Sequence, residues 1–141
     1  MIRIGKLTDY AILILGEMAL VPDAILSASS LADLIKLPLP TVSKILKILS
    51  EAQLVTSARG AIGGYRLARP AAQITLATVI TIMEREIALT ECCKMRGTCN
   101  LASSCTMQKN WQKINKLVLN LLAQWTILDM RNEHAEFSYG Q

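Results

Sequence analysis

Hydrophobic and polar positions follow a helical period along much of this chain, most regularly from Pro40 to about Ala52. Pro40 suits a first helical turn because its fixed φ is already helical and its missing N–H needs no partner there. One face of this helix is apolar, with positions spaced i, i+3, i+4 and i+7: Val42, Ile45, Leu46 and Leu49. The other face is polar and basic: Thr41, Ser43, Lys44, Lys47 and Ser50.

A shorter helix is predicted just upstream, over residues 31–36. Ser30 and Asp33 resemble a capping box at its start, and Pro38 closes it. A short helix, a tight turn and a second helix with a basic outer face form a helix-turn-helix pattern.

A β-hairpin is predicted directly after these two helices. Two short strand-like runs, residues 54–59 and 65–69, flank a glycine-bearing loop at residues 60–64. A hairpin in this position is a wing, so the chain is predicted to contain a winged helix-turn-helix domain.

Two further helices carry start signals. Thr8 is the predicted N-cap of a first helix that runs to about Leu20, and Asp9 lies in its first turn, where a carboxylate complements the helix dipole. Thr75 is the predicted cap of another helix, which reaches about Glu86.

A long C-terminal helix is predicted from about Thr106 to residue 131. About 24 residues at 1.5 Å each would make it about 36 Å long. Its regular apolar seam favours pairing with a second chain, and packing on its own domain is the alternative. The seam residues alternate at spacings of three and four, as in a heptad: Trp111, Ile114, Val118, Leu121, Trp125 and Leu128.

The predicted fold class is therefore mainly α, a winged helix-turn-helix domain with a two-stranded wing and a long C-terminal dimerisation helix. The 141 residues divide into a DNA-binding domain (1–87), a cysteine-rich loop (88–105), the dimerisation helix (106–131) and a tail (132–141).

Composition points to a partner and away from a membrane. Hydrophobic residues make up 52% of the chain and aromatic residues 4%, so the core is aliphatic and some apolar surface is expected to meet a partner. The most apolar run, residues 10–26, is interrupted by Glu17, Pro22 and Asp23, so no membrane span is predicted. The N-terminus has a signal-like charge order but no small-residue cleavage site, so a cytoplasmic location is expected.

The formal net charge of +4 is unevenly distributed. Between Lys44 and Arg69, five basic residues accompany one acid, Glu51. A local basic field suits phosphate, although an ordinary basic surface would look the same. For Tyr65, burial under the wing is an alternative to DNA contact. The candidate DNA contacts are Thr41, Ser43, Lys44, Lys47, Arg59, Tyr65 and Arg66.

All four cysteines lie in one segment without helical periodicity: Cys92, Cys93, Cys99 and Cys105. A reducing cytosol disfavours disulfides, and the lack of a Cys-x-x-Cys pair disfavours thioredoxin-like chemistry. Zinc sites usually pair ligands at shorter gaps than these. Three spaced thiolates suit an iron–sulfur cluster, with zinc and functionless free thiols as the alternatives.

Five segments carry a resemblance to known proteins: IGKLTDYA (4–11), LPTVSKILK (39–47), LVTSARGAIGGYRLARP (54–70), ALTEC (88–92) and NWQKIN (110–115). They are similar to the winged-helix bacterial regulators that include IscR and the nitric-oxide sensor NsrR, and most similar to the regulator of the SUF iron–sulfur assembly system. The resemblance implies a homodimer that binds operator DNA and carries one 2Fe–2S or 4Fe–4S cluster per subunit.

In that group three cysteines ligate the cluster and the fourth ligand varies. Some members use a histidine three residues after the last cysteine, where this chain has Gln108. Others use an acidic residue of the first helix, which matches Asp9 and would come from the partner subunit, with a helix-dipole role as the alternative. The single histidine, His134, lies in the tail. Flanking residues favour Cys92 as the first ligand, whereas five-and-five spacing favours Cys93.

The predicted function is a cluster-sensing transcriptional regulator, a repressor of iron–sulfur assembly genes, whose affinity for operator DNA depends on the cluster. One alternative is a nitric-oxide or redox-sensing regulator of the same fold that uses a cluster, zinc or thiols. Another is an iron–sulfur carrier that does not bind DNA. An enzyme is not predicted, because the sequence has no histidine before residue 134, no Gly-rich phosphate loop and no paired carboxylates.

Overall fold

The computed structural model describes residues 3–60, 63–97 and 99–133. The predicted fold class is confirmed, because these residues are mainly helical and carry a two-stranded antiparallel sheet. Within the described ranges, every helix is too short or too polar to span a bilayer. The elements are α1 (Lys6–Leu20), α2 (Ala28–Ile35), α3 (Leu39–Glu51), β1 (Val55–Ala58), β2 (Gly64–Leu67), α4 (Leu76–Glu84), α5 (Gln108–Gln124) and α6 (Ile127–Arg131), with short 3₁₀ helices at Ala71–Gln73 and Glu91–Cys93.

The hydrophobic core of the described residues lies between the helices of the winged domain and α6. Ile14 of α1 and Ile127 of α6 are both 0% exposed. The predicted apolar face of α3 is also wholly buried: Val42, Ile45, Leu46 and Leu49. Burying each such side chain contributes about 1.5–3 kcal/mol, so this packing orients α3 with its polar face outward.

The N-terminus of α1 is capped by a side chain from another helix. The prediction that Thr8 is the N-cap is wrong, because α1 begins at Lys6 and Thr8 is buried. The Thr8 hydroxyl donates to Glu84 Oε1 over 2.7 Å, and the Gly5 N–H donates to the same oxygen over 2.7 Å. Glu84 therefore satisfies a free N–H at the start of α1 and joins it to the end of α4. Asp9 lies in the first turn, as predicted.

The start of α2 also differs from the prediction. The N-cap is Ser27, whose Oγ accepts a hydrogen bond from the Ser30 N–H over 3.0 Å. The predicted capping box of Ser30 and Asp33 is wrong, because Ser30 already lies in the first turn of the helix. In α3, Pro40 lies in the first turn, as predicted.

The predicted hairpin is confirmed, with shorter strands than expected. β1 and β2 pair antiparallel, with Val55 opposite Leu67. A single bridge adds Leu26 to the sheet, since the backbones of Leu26 and Tyr65 exchange two hydrogen bonds of 2.8 Å each. The link between α1 and α2 thus holds the wing against the domain.

Thr75 is the cap of α4, as predicted. Its Oγ1 accepts a hydrogen bond from the Thr78 N–H over 3.2 Å. The helix ends at Glu84, two residues before the expected end at Glu86.

The C-terminal helix is interrupted, which corrects the prediction of one helix over residues 106–131. α5 ends before Trp125, whose backbone is extended at φ −95° and ψ 129°. There the chain pairs with the segment before α4. The Leu76 N–H donates to the Trp125 carbonyl over 2.8 Å, and the Ile127 N–H donates to the Ile74 carbonyl over 2.9 Å. These long-range bonds replace the helical bonds that a continuous helix would make.

The chain after the break belongs to the winged domain. Thr126 and Asp129 form a capping box that starts α6. Ile127 is buried in the core, and Arg131 Nη1 lies 3.2 Å from Glu17 Oε1 of α1. α6 therefore packs against α1 and does not extend the predicted dimerisation helix.

Candidate nucleic-acid interface and cysteine site

α3 presents its polar face to solvent because its apolar face is buried in the core. Ser43, Lys44 and Lys47 are exposed, and Thr41 near the N-terminal end is half-buried. Hydroxyl and ammonium groups donate hydrogen bonds to phosphate oxygens and to base edges. The exposed side of α3 therefore has the chemistry of a nucleic-acid contact.

The wing carries further exposed basic groups. Arg66 of β2 lies opposite Thr56, and both side chains are exposed. Arg59 is exposed directly after β1, next to Gly60, whose φ of +133° suits glycine. Tyr65 differs from these residues because it is half-buried and packs against the core. Its ring serves the packing of the wing.

The basic groups of α3 and the wing are not neutralised by neighbouring acids. Among the residues that the structure describes, ion pairs occur within the cysteine segment and between α1 and α6. The lysines of α3 and the arginines of the wing take part in neither. Their charge is therefore available to an anionic partner.

The cysteine segment begins with a 3₁₀ turn that brings two sulfur atoms to one hydroxyl. Thr90 Oγ1 lies 3.1 Å from Cys92 Sγ and 3.2 Å from Cys93 Sγ. The Cys93 N–H donates to the Thr90 carbonyl over 2.9 Å and closes the turn. Cys92, Cys93 and Cys99 are half-buried, whereas Cys105 is exposed, and all four are free thiols.

Two amide side chains of α5 hold the start of this segment. Asn115 is 6% exposed. Its Oδ1 accepts from the Leu89 N–H over 2.8 Å, and its Nδ2 donates to the Ile87 carbonyl over 3.2 Å. One turn earlier, Gln112 Nε2 donates to the Cys92 carbonyl over 3.3 Å. The backbone before and at the first cysteine is thus bonded to α5 at three points.

Asn115 is a functional candidate that the sequence prediction missed. The sequence does contain an indication of its role. Asn115 shares the inner face of α5 with three apolar residues at helical spacing, Val118, Leu119 and Leu122. A lone polar residue among apolar ones on one helix face indicates a buried side chain with hydrogen-bond partners.

Two acidic side chains, Glu86 and Glu91, form contacts with residues at the start of the cysteine segment. Glu86 Oε2 accepts from the Met95 N–H over 3.1 Å, and Lys94 Nζ lies 2.6 Å from Glu91 Oε1. The hydrogen bond and the negative charge of Glu91 raise the pKa of Lys94 above its ordinary value, because both favour the ammonium form. The pair is exposed to solvent, so it orders the turn and contributes little to stability.

Cavities flank the cysteine segment. One of about 230 Å³ lies against α5, and its walls include Cys92, Cys93, Gln112 and Lys116. Another of about 390 Å³ lies between α4, α5 and residues 86–89, with mainly apolar walls.

Asp9 lies against a different cavity. Its neighbours there include Arg3, Lys6 and Met130. In the described part of the chain, no three His, Cys, Asp or Glu side chains gather so that they could hold a metal ion. One chain alone does not bring Asp9 to the cysteines, so its role as a ligand stays a prediction that requires the partner subunit. His134 lies outside the described residues.

The outer face of α5 carries an apolar stripe, which is defined by Trp111, Ile114, Leu117 and Leu121. All four side chains are exposed. This stripe contains three of the six predicted seam residues and adds Leu117.

The other predicted seam residues lie elsewhere. Val118 is half-buried and lines the cavity against residues 86–89, and Trp125 packs against the core. Leu128 is exposed on α6, beyond the break at Trp125. The six residues therefore do not form one continuous stripe, because the helix on which they were placed is interrupted.

The sequence matches the profile of the Rrf2 family, described as an iron-dependent transcriptional regulator, over residues 4–133. The chain belongs to the Rrf2 family. A curated relative, the HTH-type transcriptional regulator NsrR of Oceanobacillus iheyensis, is 29% identical over 135 residues, which cover 93% of this chain and 91% of the relative.

Solved structures of Rrf2-type proteins have the same fold. CymR (YrzC), the global cysteine regulator of B. subtilis, is 26% identical with a TM-score of 0.74, over 93% of this chain and 97% of CymR. IscR of T. potens is 25% identical with a TM-score of 0.71, over 99% of this chain and 94% of IscR.

Rrf2 membership confirms the predicted resemblance and the prediction that the chain is a regulator and not an enzyme. A family of transcriptional regulators implies DNA binding, which agrees with the exposed basic groups of α3 and the wing.

Proposed function

We propose that this Rrf2 chain binds operator DNA as a homodimer, with an affinity set by an iron–sulfur cluster in its cysteine segment. The position of that segment is the observation on which the proposal rests. The segment follows α4 of the winged domain directly and is hydrogen-bonded through Asn115 to α5. A change in the segment would therefore act on both helices and alter how the two winged domains fit DNA.

The proposed recognition helix is α3. Its N-terminal end would enter the major groove with Thr41, Ser43 and Lys44, and Lys47 would follow one turn later. Arg59 at the end of the wing would enter a minor groove, and Arg66 would contact the phosphate backbone. These basic groups are exposed, and within the described ranges none of them is in an ion pair, which supports this arrangement.

The proposed dimer interface is the apolar stripe of α5. Burying apolar surface stabilises association by about 25 cal/mol per Å², and an exposed stripe with a tryptophan indicates a partner surface. The 17 residues of α5 extend over about 25 Å, which is enough for two helices to pair. A dimer would place two winged domains on two half-sites of one operator.

The donor set of the cysteine segment fits an iron–sulfur cluster, because thiolates are its usual protein ligands. The proposed ligands are Cys99, Cys105, one of Cys92 and Cys93, and Asp9 of the partner subunit. A site completed between two subunits is consistent with the finding that the described chain does not gather three such groups by itself. When bound, the cluster would supply one-electron redox chemistry.

The proposed targets are iron–sulfur assembly genes, which the protein would repress from the cytoplasm. The resemblance to the regulators of the SUF system supports this choice of genes. The iron-dependent description of the Rrf2 family supports an iron-linked signal.

Anaerobically purified protein tests the proposal. We expect visible absorption from a cluster. In gel shifts on the DNA upstream of its own gene, the affinities with and without cluster should differ by about tenfold or more. Equal affinities in the two states would contradict cluster-controlled binding.

A thiol-based regulator of the same fold is the second candidate function. The contact of Cys92 and Cys93 with one hydroxyl favours it. Metal analysis of anaerobically purified protein distinguishes the two, because the thiol regulator would contain neither iron nor zinc. An iron–sulfur carrier has no need of an unpaired basic surface on α3 and the wing, and it would not shift DNA.

Replacing Lys44 and Lys47 together by Ala is expected to weaken DNA binding by about 100-fold or more near 0.15 M salt, because the dimer loses two phosphate-attracting charges in each subunit. The slope of log affinity against log salt should fall by about 4 in magnitude if both lysines of each subunit contact phosphate, because the dimer then loses four such contacts. The control is the double variant Lys109→Ala and Lys113→Ala, which removes the same charge from exposed positions of α5. An equal loss in both variants would show that net charge, and not α3, governs binding.

Cys99→Ala and Cys105→Ala are each expected to lose most of the cluster absorbance after anaerobic reconstitution. Of Cys92→Ala and Cys93→Ala, one should lose it and the other retain it, with Cys92 the expected ligand. Asp9→Asn should hold the cluster more weakly, because an amide is a poorer ligand than a carboxylate. Iron and sulfide content are measured beside the urea unfolding curve of each variant. Equal losses at Cys92 and Cys93 would contradict the assignment of a single first ligand.

A further inference from the structure

The two adjacent thiols at the start of the cysteine segment form a reactive site of their own. We infer that Cys92 and Cys93 are a dithiol that hydroperoxides oxidise to a disulfide between neighbouring residues. Three cluster ligands would leave one cysteine of this pair unused. The inference concerns the cluster-free protein, so its test does not depend on whether the protein binds a cluster.

The geometry of the turn carries this inference. In an extended chain, successive side chains point to opposite sides. Here the 3₁₀ helix Glu91–Cys93 turns both sulfur atoms to Thr90 Oγ1, at 3.1 Å and 3.2 Å. A hydroxyl can donate to one sulfur and accept from the other. Thr90 thus holds both thiols on the same side of the chain.

The two thiols are accessible to a small oxidant, and hydrogen bonds from α5 hold the backbone that carries them. The cavity of about 230 Å³ beside α5 has both sulfur-bearing residues in its wall, whereas a water molecule takes about 30 Å³ of liquid volume. The Gln112 side chain donates a hydrogen bond to the Cys92 carbonyl. The Asn115 side chain is hydrogen-bonded to the backbone of Ile87 and Leu89, just before the turn that Thr90 begins. The two sulfurs can therefore approach without movement of the whole segment, through rotation of both side chains and a twist of the peptide between the two residues.

The reaction proceeds in two steps. In the first, one thiol attacks the terminal oxygen of the hydroperoxide. An S–O bond forms, the O–O bond breaks, and a sulfenic acid and an alcohol (water for hydrogen peroxide) are produced. In the second, the neighbouring thiol attacks the sulfenic sulfur. The S–S bond forms, the S–O bond breaks, and water leaves with the proton of the second thiol. Two electrons pass from the dithiol to the peroxide.

Exposure alone predicts a different site of oxidation. Cys105 is the exposed thiol of the four, whereas Cys92 and Cys93 are half-buried. The dithiol predicts that residues 92 and 93 end as the main product, because a sulfenic acid on either is captured at once by its neighbour.

Trypsin digestion distinguishes oxidation of Cys92 and Cys93 from oxidation of Cys105, because the two sites lie in different tryptic peptides. Cleavage after Arg85 and Lys94 gives a peptide of residues 86–94 that contains Cys92 and Cys93, and cleavage after Arg96 and Lys109 gives a peptide of residues 97–109 that contains Cys99 and Cys105. The full-length protein is treated with a chelator, reduced and then exposed to one equivalent of hydrogen peroxide. Its remaining thiols are alkylated, the protein is digested with trypsin, and the peptide masses are measured by mass spectrometry. We expect peptide 86–94 to lose two hydrogen atoms and escape alkylation, while peptide 97–109 is alkylated twice. Alkylation of both cysteines in peptide 86–94, or earlier oxidation of peptide 97–109, would overturn the inference.

Variants test the role of each group. In Cys92→Ser or Cys93→Ser, the remaining thiol should be trapped as a sulfenic acid by a 1,3-diketone and form no disulfide in this peptide. Thr90→Val should slow disulfide formation by about three- to tenfold, the value of one hydrogen bond, while Thr106→Val beside Cys105 should leave the rate unchanged. Equal rates in the two threonine variants would overturn the assignment of Thr90. If the protein also binds a cluster, oxidised protein should regain it only after reduction of the disulfide.

Discussion

Asn115→Ala is expected to destabilise the protein by about 2–4 kcal/mol and to release the cysteine segment from α5. The substitution leaves the Leu89 N–H and the Ile87 carbonyl without their partner in a partly buried place, and each unpaired group costs about 1–3 kcal/mol. Urea unfolding measures the first effect. Trypsin under native conditions measures the second, because cleavage after Lys94 requires local opening and should accelerate by about tenfold or more.

The matched control is Asn120→Ala. Asn120 lies on the same helix but is exposed, so this variant is expected to change stability by no more than about 0.5 kcal/mol. If cleavage after Lys94 were equally fast in both variants, Asn115 would not hold the segment. If Asn115→Ala were destabilised without faster cleavage, its hydrogen bonds would serve the winged domain and not the cysteine segment.

Gly64→Ala is expected to destabilise the winged domain by about 2–3 kcal/mol and to displace the wing. A Cβ at this position would lie 2.6 Å from the Leu26 carbonyl oxygen, 2.8 Å from its carbon and 2.9 Å from Ile25 Cγ2. Because backbone atoms form this contact, the bridge between Leu26 and Tyr65 must open, and overpacking of this kind typically costs about 1–3 kcal/mol. Thermal unfolding should show a midpoint lower by about 5–10 °C, and gel shifts should show weaker DNA binding.

Gly63→Ala is the control in the neighbouring position. Among the residues that the structure describes, the nearest atoms to its Cβ outside its chain neighbours would be the carbonyl oxygens of Gly60 and Ala58, at 3.5 Å and 3.6 Å, which is ordinary contact. We expect its unfolding midpoint to stay within about 2 °C of the unaltered protein. Similar losses in the two variants would indicate that the loss of glycine flexibility, and not the close approach of Leu26, is responsible.

Much of the winged domain could be predicted from local sequence patterns. The apolar face of α3, the cap at Thr75 and the hairpin after α3 are all found in the structure. Each depends on residues within a few positions of one another, where helical period, capping chemistry and turn preference act directly.

The two wrong caps show where local patterns fail. Thr8 has the chemistry of an N-cap, yet its hydroxyl donates to Glu84, 76 residues away. Ser30 has a suitable partner in Asp33, yet Ser27 takes the capping position three residues earlier. In both places several residues had compatible chemistry, and packing against other helices decided which of them capped the helix.

Part of the candidate site could also be predicted from local patterns. The clustered cysteines, the basic face of α3 and the apolar stripe of α5 can be recognised from residue composition and helical periodicity. The anchoring of the segment through Asn115 is not, because its partners Leu89 and Ile87 lie 26 and 28 residues away.

The winged fold class, the outward basic face of α3 and the four thiols in one segment can all be predicted from the sequence, because each depends on residues that are close together in the chain. The break of the C-terminal helix at Trp125 depends on long-range contacts, because the segment before α4 forms backbone hydrogen bonds there and Ile127 is buried in the core. The capping of α1 by Glu84 depends on long-range contacts as well. A heptad pattern or a threonine has several satisfactory local environments, and the free energy of distant contacts selects among them.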